Sequence, residues 1–448
     1  MSRSLSWTLE KVTGFFLCVS IILTLFATGV GEVFSFGVQI FLISAIIFCM
    51  LLFLILCQEK RVFFYIKKER CLFFLVLTLF VISTCKYLIA LADEQKITFF
   101  TVYQIPIFAL FGFFAFIFFK EHEKYLPGCL FLFCTVESIV IMLFHNRFMQ
   151  DLGLYRFMGI YDNPNIQGLF SAIACMFSIY LLTRKYKFRI LIIVNLSLSM
   201  AAIFLTLSRG SLLAVLFGIC AFFFFGSFKI IKRHMLSASL ITIIAFMLTV
   251  LFVQMLQPDR ADMNQATVVG KTSTTKTAQK EEPAEKEEVV QALSQRFSIA
   301  DDSGGSVRQN LRLSIWREYV SLMPEYFLVG ADYSLNLRPL IGNIKRDSHN
   351  TVLYIFFRYG ILGLCSLLIL IFTIIAKFVK KARIMGYQSA VFGCFCTLGV
   401  ISMLNDLLNT PVFFLVLAFS YMEVQKNEGK CSNKRQTPKS TSGFLIIE

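Results

Sequence analysis

Long runs of apolar residues alternate with short polar stretches along almost the whole of this chain. About 20 apolar residues cross a bilayer as a helix, and runs near that length recur at 12–28, 33–56, 71–91, 101–119, 126–144, 166–182, 188–207, 211–225, 237–256, 361–379, 390–404 and 407–422. The pattern predicts an all-α polytopic membrane protein with about 12 transmembrane helices. It is interrupted once, by a polar segment between the ninth and tenth runs. The first run lacks a small-residue cleavage site and is followed closely by others, so it reads as a retained start-transfer helix.

The expected organisation is a membrane domain over 1–256, the polar segment over 257–348, a second membrane portion over 349–425 and a basic tail over 426–448. The polar segment has two halves. Residues 257–295 are rich in Thr, Gln, Glu, Lys and Ala, a composition that buries too little apolar surface to order itself. Residues 296–348 carry Phe297, Leu311, Ile315, Trp316 and Tyr319 and are expected to form a small helical cap on the membrane domain. Within it, 310–323 has helical spacing, with Leu313, Trp316 and Val320 along one stripe, and Pro324 ends the helix. Past Asn350, the residues Val352, Leu353, Phe356 and Phe357 form an amphipathic lead-in, and Gly360 marks a bend before the next span.

Composition supports the class: 57% of residues are hydrophobic and 16% charged. The net charge of +15 is arranged, not scattered. Lys and Arg crowd alternate loops, such as 60–70, 184–189 and 377–383, while the intervening short loops hold only Lys96, Arg147, Arg156 and Arg209. This bias predicts cytoplasmic termini and places the polar segment outside. The charge is a topology signal, and no nucleic-acid partner is expected. None of the 13 Cys falls between Gln257 and Ser348, which argues against a disulfide framework there. The 4 His form no cluster with metal-ligand spacing, so no metal or other cofactor is expected. Lys86 is the conspicuous charge inside an expected span; it pairs with a carboxylate, reaches an outer cavity, or snorkels.

The polar borders hold the candidate chemistry. Arg209 sits in Leu207-Ser208-Arg209-Gly210, a turn pinched between two apolar runs, and His349 sits in Asp347-Ser348-His349-Asn350 where the polar segment meets the membrane. Arg156 precedes the sixth run, and Arg308, Arg312 and Arg317 lie in the polar segment. Guanidinium offers a planar fork of donors matched to phosphate oxygens, so converging arginines would suit a diphosphate on a lipid anchor. Singly, each also reads as an interfacial anchor. Histidine titrates near neutrality and can take a proton from an attacking sugar hydroxyl. The alternative is a histidine that holds a helix start, with Asp347 or Ser348 as its cap. Tyr161-Asp162-Asn163-Pro164-Asn165 is a turn by composition, or the start of the sixth helix.

These segments together resemble the O-antigen ligase/polymerase superfamily of lipid-linked-glycan transferases. Arg156-Phe-Met-Gly159 running into Asn163-Pro164-Asn165 is similar to the family's R-x-x-G…N-P-N stretch, and Thr206-Leu207-Ser208-Arg209-Gly210 to its T-x-S-R-G turn. Arg312-Leu-Ser-Ile-Trp316 with Pro324 and Gly330 resembles the R-L-x-x-W…P…G part of its large outer loop. His349-Asn350-Thr-Val-Leu353 followed by Gly360 and Gly363 resembles its H-N-x-x-L…G-x-x-G ending. The chain departs where Gly330 leads to Ala331-Asp332 in place of a second glycine, and where Arg358 replaces a common acidic residue.

The resemblance implies a metal-independent, inverting glycosyltransferase of the bacterial cytoplasmic membrane. Its donor would be an undecaprenyl-diphosphate-linked glycan, its acceptor a glycan or lipid, with membrane lipid around it and other glycan-assembly proteins, a flippase and a chain-length regulator, as partners. His349, Arg209 and Arg312 would be catalytic. Arg156, Asn163, Asn165, Arg308, Arg317 and Asn350 would bind substrate. A polysaccharide polymerase is favoured by the Lys-, Phe- and Ile-rich composition, which fits a low-GC organism; the alternative is a ligase acting on a lipid or protein acceptor. A lipid-linked glycan flippase is the rival of another class, and the lack of inverted-repeat hydropathy argues against it.

Overall fold

The computed structural model describes residues 68–93, 99–151, 154–161, 163–225, 243–245, 247–253, 315–331, 340–341, 344–345, 349–381, 386–405, 407 and 410–425, with scattered positions before residue 51. The expected spans at 12–28, 33–56 and 237–256 lie partly or wholly outside these residues. So do the 257–295 linker and the 426–448 tail. The described helices are α1 (Arg70–Ala92), α2 (Phe99–Glu121), α3 (Leu126–Leu143), α4 (Pro164–Thr183), α5 (Arg189–Leu205), α6 (Arg209–Phe225), α7 (Thr351–Lys381), α8 (Gly386–Leu404) and α9 (Pro411–Gln425). They fall on the expected apolar runs. Among the described residues 5 helices are long and apolar enough to cross a membrane, and α5, α6, α8 and α9 are shorter apolar helices. The protein is an all-α membrane protein in its main architecture.

Two small ladders interrupt that plan. β1 (Phe148–Asp151) pairs antiparallel with β2 (Leu154–Phe157), with Met149 opposite Arg156. β3 (Leu340–Ile341) pairs with β4 (Ile344–Lys345). Neither was expected; each strand is too short for alternation to register in sequence.

Helices α4 and α9 form the centre. α4 packs on α3, α5, α6 and α8, and every residue of α9 is buried, against α2 and α8 above all. Aromatic rings fill the space between them: Phe419 meets Phe177 and Tyr180 edge-on, with centroids 5.8 Å and 5.1 Å apart. Helices α6 and α8 approach closely enough for Thr397 to donate to the carbonyl of Ala214 at 3.1 Å.

Ion pairs and hydrogen bonds, most of them buried, close one end of the bundle. Glu69 accepts from Lys120 Nζ and, at 2.9 Å, from Gln425 Nε2. Glu423 accepts from Tyr180 Oη at 3.0 Å, and Arg184 pairs with Glu123. The opposite end carries the hairpin, the α5–α6 turn and the start of α7.

Helix α7 is two helices joined at a break, as the Gly360 bend predicted. Gly360 has φ 61° and ψ −164°, far from helical values. Only glycine adopts such a backbone without strain. A short helix at 315–322 stands where helical spacing placed one, but its stripe differs. Ile315 and Tyr319 are the buried residues and Trp316 is half-buried, while Val320 is exposed. Tyr319 turns inward because its ring packs edge-on against Phe357 of α7 at 5.2 Å.

Candidate active site

The hairpin owes its place to Phe157. That ring is fully buried against Ile141 of α3 and Ala201, Ala202 and Leu205 of α5. Successive strand residues point to opposite faces, so the neighbouring Arg156 projects away from this apolar patch. Its guanidinium is buried: Nε donates to the carbonyl of Thr206 and Nη2 to Asn165 Oδ1, each at 2.9 Å. Asn163 in turn caps α4, its Oδ1 accepting from the backbone N–H of Asn165 at 2.9 Å. Asn163, Pro164 and Asn165 are therefore the start of a helix, and Asp162 lies outside the described residues. One arginine thus braces the hairpin, the head of α4 and the α5–α6 turn.

That turn is strained. Leu207 has φ 49°, a left-handed conformation that a bulky side chain rarely adopts. Ser208 then starts α6: its Oγ lies 3.0 Å from Ser211 Oγ and accepts from Ser211 N–H at 3.4 Å. Arg209, the first helical residue, is exposed, and Gly210 beside it lies against Leu404 of α8, where an added Cβ would sit 3.2 Å from the leucine Cδ1.

His349 adopts the same unusual backbone, φ 48°, and is half-exposed. Asp347 and Ser348, the expected caps, lie outside the described residues, and Asn350 caps α7. Its Oδ1 accepts from the N–H groups of Val352 and Leu353 at 2.9 Å and 3.1 Å. Its amide Nδ2 also donates to the carbonyl of Met403 at 3.3 Å. Thr351 adds a bond to the carbonyl of Asn405 at 2.8 Å. So the Arg209 turn touches Leu404 while the His349 turn is bonded to Met403 and Asn405, and both sequence motifs abut the last turn of α8. Helices α4, α6 and α7 all begin at this end, directing their partial positive charge towards it.

A buried polar cluster underlies α4's first turns. Gln167 Nε2 donates to Glu137 Oε1 at 2.8 Å and to Ser171 Oγ at 3.0 Å, and Ser171 Oγ donates to the same carboxylate oxygen at 3.0 Å. Glu137 is fully buried in α3, so Lys86 is not the sole charge-bearing side chain deep in a span. Sequence reading passed over Glu137; the visible signal was a carboxylate inside an apolar run. Tyr161 stacks on Phe170 with centroids 5.0 Å apart, and burial, then the charge of Glu137, pushes its hydroxyl well above the usual tyrosine value.

Of the remaining candidates, Arg317 is exposed on the helix at 315–322, and no described hydrogen bond joins it to Arg156 or His349. Arg308 and Arg312 lie outside the described residues. The structure brings together Arg156, Asn163, Asn165 and the Arg209 turn, and sets His349 and Asn350 against the same end of α8. No curated protein matches the chain. A family model described as O-antigen ligase matches residues 194–368, from within α5 through both strained turns and into α7, and this match supports the likeness to the O-antigen ligase/polymerase superfamily.

Proposed function

We propose that this protein lengthens a surface polysaccharide by transferring glycan from an undecaprenyl-diphosphate-linked donor, on the extracytoplasmic side of the bacterial cytoplasmic membrane. The family match supports glycosyl transfer by a ligase or polymerase. The observation that carries the reading is the pair of left-handed residues, Leu207 and His349, in two turns that abut one helix end. Such backbone costs about 1–3 kcal/mol per residue and persists where it holds functional groups in place.

In this reading, His349 accepts the proton of the acceptor hydroxyl as that oxygen attacks the anomeric carbon. The bond from that carbon to the diphosphate breaks in the same displacement, inverting the configuration. Charge grows on the departing diphosphate, and Arg209 with Arg312 neutralises it, aided by the helix N-termini gathered at this end. Arg308 and Arg317 hold the donor, and Asn350 sets the orientation of the turn that carries His349. Arg156, Asn163 and Asn165 form the frame that fixes the Arg209 turn.

The test is the full chain reconstituted in lipid with an undecaprenyl-diphosphate oligosaccharide as both donor and acceptor. Longer lipid-linked glycan is expected, and none from His349→Ala or Arg209→Ala at normal expression. Transfer only to an added lipid or protein acceptor would replace polymerase with ligase. Movement of the donor across the bilayer with no new glycosidic bond would replace the enzyme with a transporter.

A further inference from the structure

Lys86 lies six residues before the end of α1, about 9 Å down the helix axis. Its side chain is buried. An ammonium in an apolar interior is costly unless its donors are satisfied. Nζ donates to the carbonyl of Ala331 at 2.6 Å and to the carbonyl of Arg358. Both of these acceptors are backbone carbonyls, and the group does not snorkel to the surface.

The two carbonyls mark a junction. The break at Gly360 ends the first half of α7, and the last carbonyls of a helix lack partners within it. Here Phe357 O accepts from Ala331 N–H and Phe327 O accepts from Ile361 N–H, both at 2.7 Å. Gly330 and Gly360 permit this approach: an added Cβ on either would fall within 2.3–2.6 Å of the opposing backbone. Lys86 adds a positive charge at that helix C-terminus, where the macrodipole favours one. The other end of the same half-helix carries Asn350, bonded to Met403, with His349 before it.

We propose that Lys86 is a positioning residue. It ties the 315–331 part of the polar segment and the half-helix that presents His349 to α1 as one body, so that His349 is held in a fixed register. Only the kinetic consequence rests on the proposed function; the tie itself does not.

The experiment compares Lys86→Met, Lys86→Gln and Lys86→Arg in the full chain held in lipid nanodiscs. The first readout is amide hydrogen exchange. Loss of a hydrogen bond from a charged donor is expected to speed exchange at Ala331 and Ile361 about tenfold or more in the Met variant. Exchange in the core of α4 should stay unchanged, and Lys86→Arg should restore protection. If the Met variant loses α4 protection as well, Lys86→Gln reads the same two amides in a milder background. The second readout is turnover: kcat falls and the KM for the lipid-linked donor holds, with Arg restoring kcat. Wild-type protection at both amides in the Met and Gln variants would overturn the proposal. A wild-type protein that forms no glycosidic bond would overturn the proposed function, and the exchange data would still decide the role of Lys86.

Discussion

Arg156 and Thr206, 50 residues apart, are joined by a 2.9 Å hydrogen bond from the arginine Nε to the threonine carbonyl. The same guanidinium reaches Asn165 Oδ1, so a single planar group sets the relation of the hairpin to two helix starts. An ammonium cannot copy this, since it lacks the fixed fork. Arg156→Lys is expected to lower stability by about 1.5–3 kcal/mol, the usual worth of a hydrogen bond to a charged group. Thermal unfolding in detergent checks it. A wild-type midpoint in the Lys variant would remove the bracing role.

The Gly330–Gly360 crossing gives a sharper case. Gly360→Ala places a methyl 2.3 Å from the carbonyl atoms of Leu328 at a backbone φ of 61°. Backbone strain alone contributes about 1–3 kcal/mol, and the clash cannot be relieved by a side-chain rotation because the opposing atoms are main chain. The expected outcome is faster protease cutting within 257–348, with reduced activity. Gly399→Ala, where a Cβ meets nothing within 4 Å, is the control and should be silent.

Helix positions were legible because apolar runs of spanning length need only composition to be seen, and the Gly360 bend because an amphipathic lead-in ends on a glycine. The tie of Lys86 was not legible, since backbone carbonyls carry no sequence signature. Nor was the tie of the cap: Asn350 holds the start of α7, and its amide is bonded to the carbonyl of Met403, 53 residues away. The stripe of the helix at 315–322 was misread because Ile315 and Tyr319 form as apolar a face as Trp316 and Val320. Phe357 of α7 decides between them. The hairpin was missed because what fixes it is Phe157 packing between α3 and α5, a tertiary fact. For the candidate site, the residue types and their order could be read, while the shared surface on α8 could not.

Asn350 has two separable tasks, capping α7 and bonding to Met403. Asn350→Asp keeps the acceptor for Val352 and Leu353 but removes the donor to the Met403 carbonyl. Asn350→Ala removes both, and loss of a cap costs about 0.5–2 kcal/mol. Stability is therefore expected to fall in Asn350→Ala and to fall less in Asn350→Asp. Activity should fall in both, because either change removes the bond between the His349 turn and Met403 of α8 and leaves only that of Thr351. An Asp variant with full turnover would separate His349 from that anchor.

Glu137 tests whether the polar cluster beneath α4 is structural support. Its Oε1 accepts from both Gln167 and Ser171, and all three side chains are fully buried. Glu137→Leu leaves the two donors without that acceptor, and each buried group so abandoned costs about 1–3 kcal/mol. Glu137→Gln retains a carbonyl oxygen of the same reach and should recover most of the loss. Gln167 lies one turn from the Asn163 cap, so the Leu variant should also loosen the head of α4. The measurement is amide exchange at Ile166 and Gln167, both bonded to the carbonyl of Asn163. Faster exchange there in Glu137→Leu, reversed in Glu137→Gln, is the expected result. Unchanged protection in the Leu variant would mean that the carboxylate does not hold the α4 start, and that Arg156 and Asn163 suffice.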